Sequence, residues 1–147
     1  MTVTMFARAV LVLTLVAAVA GCSSMGSATS LFDQLGGIDS VRSLSDAFVS
    51  NVASDSRTGS MLSGQNMGSL KSKMTDQLCA LSGGGCKAPL TSSQITDAGK
   101  KVDAKTSSAL NDSFSKALDS IKASPVVKEG ATKLMGPQLG GILAGLL

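Results

Sequence analysis

Apolar residues in this 147-residue chain return every third or fourth position and nowhere alternate for long with period two. Val41, Leu44, Phe48 and Val52 form one series, and Met67, Leu70, Met74, Leu78 and Leu81 a second; Leu110, Phe114, Leu118 and Ile121 form a third. Such spacing puts each set on one face of an α-helix, whereas a half-buried strand requires alternation. Ser30 followed by Asp33 reads as a helix start, and Gly36-Gly37 and Gly83-Gly84-Gly85 as stops. Ser124-Pro125 separates the third series from Val127, Ala131, Leu134 and Met135. Residues 30–147 are therefore expected to form one all-α domain of five or so short helices.

Two stretches are less determinate. Between Pro89 and Lys105 only Ile95, Ala98 and Val102 suggest a face, with Thr91-Ser92-Ser93 as a loop or a cap. The last twelve residues, 136–147, are apolar but hold four glycines and a proline. They are compatible with a loose helix or with a segment lying against lipid.

Residues 1–21 have the parts of an export signal: Arg8 as the only charge, an apolar run from Ala9 to Ala20, and small residues at the end. About a dozen apolar residues fall short of the ~20 that cross a bilayer. Val19-Ala20-Gly21-Cys22 resembles the lipobox of bacterial lipoproteins, in which the cysteine receives a diacylglyceryl group before cleavage. The expectation is a chain cut before Cys22 and lipidated there, with residues 22–29 as a flexible tether. Ser23, rather than Asp, follows the cysteine, a pattern that resembles the one sent to the outer membrane, facing the periplasm, if the host has two membranes.

Without residues 1–21, 12 Lys and Arg face 10 acids, a net charge of +2. Neither a basic cluster nor base-stacking aromatics is present to suggest nucleic acid. Past residue 21 the aromatics are Phe32, Phe48 and Phe114, so the core must be built mainly from aliphatic side chains. Histidine is absent from the whole chain, which removes histidine-based triads and general bases.

Several stretches, in order, carry a resemblance: Leu31-Phe32-Asp33-Gln34-Leu35-Gly36-Gly37, Phe48-Val49-Ser50-Asn51-Val52 with Asp55 and Arg57, Asn66-Met67-Gly68-Ser69-Leu70-Lys71, Asp76-Gln77-Leu78-Cys79-Ala80-Leu81, and the glycine break Gly83 to Lys87. Residues 30–85 on this basis resemble the group 1 truncated haemoglobins, whose shortened helices fold two-over-two around haem. The resemblance implies that architecture and a pocket lined by Phe48, Val49, Leu70 and Met74. It places the proximal ligand, a histidine in the family, at Gly99 or Asp97. Neither residue holds iron in that manner. On the distal side Val49 stands where many members have a tyrosine, and Met61-Leu62 replaces an aromatic pair.

Met61, Met67 and Met74 are the side chains with the chemistry to ligate iron instead, Met74 being best placed; methionine also serves simply as core filler. Cys79 and Cys86, with six residues between them across the glycine turn, suit a disulfide in an oxidising compartment. A metal or haem thiolate and free thiols are the alternatives; zinc lacks further ligands, and no metal is expected. Ser113 and Lys116 have a Ser-x-x-Lys spacing, but a solvated helix face explains them, and no enzyme is expected. Lys100, Lys101 and Lys105 form a small basic patch suited to solvent, lipid phosphates or an acidic partner.

Three functions remain open at this point. One is a lipid-anchored, haem-free, globin-like structural or interaction module at the cell envelope, with an unidentified envelope protein as partner. A second is a haem-binding globin for oxygen or nitric oxide with non-histidine ligation. The third is an apolar-ligand carrier using an emptied pocket.

Overall fold

The structure, a computed structural model, describes residues 29–147. The expected export signal, Cys22 and most of the expected tether lie outside the described residues. Seven α-helices follow one another: α1 (Leu31–Leu35), α2 (Gly37–Ser54), α3 (Met67–Ser82), α4 (Ser92–Gly99), α5 (Ala104–Ser120), α6 (Pro125–Met135) and α7 (Leu139–Leu146). Short 3₁₀ turns occupy Gly59–Leu62 and Gly136–Gln138. No strand occurs among the described residues.

The local chemistry sets these boundaries. Five helices open on a polar side chain that accepts a backbone N–H: Ser30 for α1, Asn66 for α3, Thr91 for α4, Asp103 for α5 and Ser124 for α6. Pro125 occupies the first position of α6, where its missing N–H costs nothing. α3 ends at Gly83, whose φ of 92° is accessible to glycine without strain. The Gly84 N–H then reaches the Cys79 carbonyl and the Gly83 N–H that of Ala80, which satisfies the last carbonyls of the helix.

α2 is the central helix. Val41, Leu44, Ser45, Phe48, Val49 and Val52 are all fully buried and follow the i, i+3, i+4 progression of a single face. That face packs on α3 and on α5, and Phe48 meets Phe114 of α5 edge-on at 5.7 Å between ring centres. Burying each of these rings contributes about 1.5–3 kcal/mol. The pair α2 and α3 thus lies over α5 and the α6–α7 segment, two helices over two, with the core between.

The vague stretches become definite. Thr91 is a cap: its hydroxyl accepts from the Gln94 N–H while the Gln94 side chain accepts from the Thr91 N–H. α4 follows, with Ile95 buried. The glycine-rich end, for which a lipid-facing segment was one expectation, is instead helix α7. Leu139, Gly140, Gly141, Ile142, Leu143 and Leu146 are buried within the protein, because the helix supplies much of the aliphatic surface that closes the core. Five or so helices become seven, since α4 and α7 each form their own element. Leu134, expected on the inner face of α6, is 42% exposed.

Candidate functional site

Phe48, Val49, Leu70 and Met74, the four side chains expected to line a pocket, do come together. They belong to one apolar cluster and are 0, 0, 3 and 0% exposed. Leu78 below Met74 and Ile142 and Leu143 from α7 are equally sealed. A slot open to water would leave accessible surface on the groups that line it. Their burial is that of close-packed core side chains. Met61 is half-buried, Leu62 is buried, and Met67 packs only partly against the cluster.

Gly99 does not join the other four. It is the last residue of α4 and faces α7, where a Cβ would make ordinary contact, 3.5 Å from the Cα of Gly141. The approach is closer on the other side. A Cβ on Gly141 would overlap the carbonyl oxygen of Ile95 and sit 2.9 Å from its carbonyl carbon. One turn on, a Cβ on Gly145 would come within 2.8 Å of Leu90. Gly141, against Ile95, and Gly145, against Leu90 and Ala98, thus let α4 and the segment before it close on α7, while Gly140 faces Val102 beyond the end of α4. Asp97, the alternative proximal position, is exposed and ion-paired with Lys100 at 2.9 Å.

These residues do not fit haem. Imidazole is absent from the sequence, Gly99 has no side chain to offer iron, and Phe48, Val49, Leu70 and Met74 are buried against one another and the rest of the core. Cys79 and Cys86 are joined in a disulfide, with Cα atoms 5.6 Å apart, so neither offers a thiolate. Among the described residues no group of three or more His, Cys, Asp or Glu side chains gathers to hold a metal ion. One surface cleft of about 440 Å³ runs between α2 and α3 and is lined by charged residues including Arg42, Asp46, Lys71 and Asp76. Another of about 430 Å³ opens on the outer side of the α4–α7 seam, where Ile95, Gly99, Lys100, Gln138 and Gly141 line it.

The titrating groups serve structure. Arg57 donates to Asp55 at 2.6 Å and to Asp112 at 3.1 Å, tying the end of α2 to α5. The guanidinium hydrogen bond holds the Asp55 carboxyl down at about 2, and the paired carboxylates raise Arg57 in turn. Asp103 is lowered by the Thr106 N–H that it caps. Ser113 and Lys116 do not share an exposed face as expected: Ser113 is buried and Lys116 exposed, so the two point apart. Lys100, Lys101 and Lys105 are exposed.

Two features escaped sequence reasoning. Gln77 is buried, and its side-chain oxygen accepts the Leu90 N–H at 2.9 Å, fixing the segment between α3 and α4. A buried amide has no pattern that flags it. The glycines of α7 did leave a signal, Gly141 and Gly145 four apart in an apolar helix, the spacing that lets helix backbones meet.

Comparison with known proteins now has a geometry to match. A family model described as "Bacterial-like globin" matches residues 30–138. The ferric truncated hemoglobin of Tetrahymena pyriformis superposes with a TM-score of 0.66 at 19% identity, over 76% of this chain and 98% of its own. The 2/2 hemoglobin of Synechococcus sp. PCC 7002, in the cyanomet state with covalently attached heme, gives a TM-score of 0.66 at 19% identity, over 78% and 98%. No curated protein matches the sequence.

Proposed function

Since the chain belongs to the bacterial-like globin family, we propose that it is a haem-free member, tethered to a membrane by lipid on Cys22, that works through its surface as a structural or interaction module of the cell envelope. The reading is non-enzymatic, and its partner is an envelope protein or the membrane itself.

The observation that carries it is the direct closure of α4 on α7. A haem globin needs its proximal helix to present a ligand to iron, yet here the corresponding position is a glycine whose backbone abuts Gly141. The same closure counts against an apolar-ligand carrier, because Phe48, Leu70 and Met74 occupy the interior such a ligand would need. The terminal Val19-Ala20-Gly21-Cys22 supports the anchor.

A second reading, haem binding by non-histidine ligation, is favoured by the neighbours' own state: one is in the Fe(III) form and one carries covalently attached heme. In this chain Met74 would be the ligand. Thermal unfolding with added hemin separates the two, because a ligand that binds only the folded state raises the midpoint with its concentration. A midpoint that hemin leaves unchanged is expected. A rise that disappears in Met74→Ala would overturn the haem-free reading in favour of the second.

A further inference from the structure

α6 carries more apolar surface than it buries. Val127, Ala131 and Met135 face the core, but Val126 is 75% and Leu134 42% exposed. The two flank Gly130 at four residues on either side, so all three lie along one ridge of the helix. Leu31 of α1 crosses that ridge at its middle, where a Cβ on Gly130 would meet the Leu31 side chain at 3.9 Å. α1 is five residues long, and Leu31 is itself half-buried against the core. Val126 and Leu134 are left bare on both sides of it, with Lys133 beside them and Glu129 farther round toward solvent.

Chain geometry says what can cover this stripe. Seven residues, Ser23 to Thr29, separate Cys22 from Ser30, the cap of α1. Fully extended they span at most about 25 Å. A domain of this length is roughly 35 Å across, so the far side cannot be brought round to the surface that holds the anchor. The near side, where α1 begins, can.

We propose that the ridge Val126–Leu31–Leu134 is a membrane-resting face, inserting its apolar side chains among the headgroups of the bilayer that holds the anchor, with Lys133 toward lipid phosphates. This rests on the anchored reading given above. Scattered exposed leucines and valines are ordinary on proteins; a ridge aligned beside the tether's end has a bilayer within reach. Apolar insertion of this kind gains from buried area together with attraction of lysine to anionic lipid.

The test uses the full lipidated chain in vesicles of phosphatidylethanolamine and phosphatidylglycerol. A nitrobenzoxadiazole label is placed at Val126→Cys, at Leu134→Cys and at Ser56→Cys, which lies past the distal end of α2, about 27 Å from its start. Labels at 126 and 134 are expected to shift to the blue and lose emission to a bilayer-confined quencher, while the label at 56 does neither. Labels at 126 and 134 that behave like the one at 56, on a chain whose mass shows acylated Cys22, would overturn the face and leave the anchor standing. A mass showing unmodified Cys22 would overturn the anchor, and the face with it.

Discussion

Replacing Gly141 with alanine should cost stability out of proportion to the change, a single methyl group. The new Cβ would overlap the Ile95 carbonyl oxygen and lie 2.9 Å from its carbon, and both atoms belong to the backbone of α4. No rotamer relieves the contact. Restoring ordinary carbon separation of ~3.5–4.0 Å requires the helices to part by about 1 Å, with Leu90, Ile95 and Ala98 losing contact along the seam. Overpacking of this kind costs about 1–3 kcal/mol, and up to ~1 kcal/mol returns through alanine's better helix propensity. Because the overlap is with backbone rather than a movable side chain, the cost belongs at the upper end, and the net of about 2 kcal/mol lowers the thermal midpoint by roughly 8 °C in a domain of this size. Gly99→Ala is the matched control, because its Cβ meets Gly141 at an unstrained 3.5 Å; its midpoint should hold or rise slightly. Far-UV circular dichroism melts of both variants decide the matter. A Gly141→Ala protein as stable as its parent, or a Gly99→Ala protein equally weakened, would refute direct closure of α4 on α7.

Further consequences concern the disulfide, one ion pair and one buried amide. Cys79 and Cys86 close an eight-residue loop, so Cys79→Ser with Cys86→Ser, or reduction of the parent, should lower stability by about 2–3 kcal/mol in a urea titration. A midpoint indifferent to reductant would argue that the pair is not joined. Asp55 is held at about 2 against an ordinary 3.8, so its contribution is complete above pH 3.8 and fades as pH falls toward 2. The midpoints of the parent and Asp55→Asn should therefore differ at neutral pH and converge near pH 2; a gap that persists in acid would contradict this. Gln77→Met keeps the volume but leaves the Leu90 N–H without its acceptor, at a cost of about 1–3 kcal/mol. Faster hydrogen exchange at the Leu90 amide should accompany the loss, and unchanged exchange would show that another acceptor serves.

The helices that were plain in the sequence are those whose burial is one-sided. α2 is an example, since Val41, Leu44, Phe48 and Val52 meet the core and the remaining positions largely meet water. α4 and α7 were obscure for opposite reasons. α4 has eight residues and one buried apolar side chain, Ile95, too little for a period to show. α7 is buried nearly all round, so it reads as a uniform apolar run, and its glycines, which weaken helices in isolation, are what allow the packing that makes it a helix. Of the expected site, Phe48, Val49, Leu70 and Met74 share the apolar core, as their helical spacing leads one to expect of buried positions. Gly99, with Asp97 as its alternative, rests on the family's spacing carried across, which holds no information about the direction a helix face points. Only the meeting with Gly141 shows that it looks toward α7, and the contact joins residues forty-two positions apart.

The proposal that this globin domain closes its core without a cofactor is tested most directly by absorbance. The full chain, expressed in cells supplied with haem and purified through gel filtration, should show no Soret band. A Soret band that travels with the protein and is lost in Met74→Ala would contradict the claim.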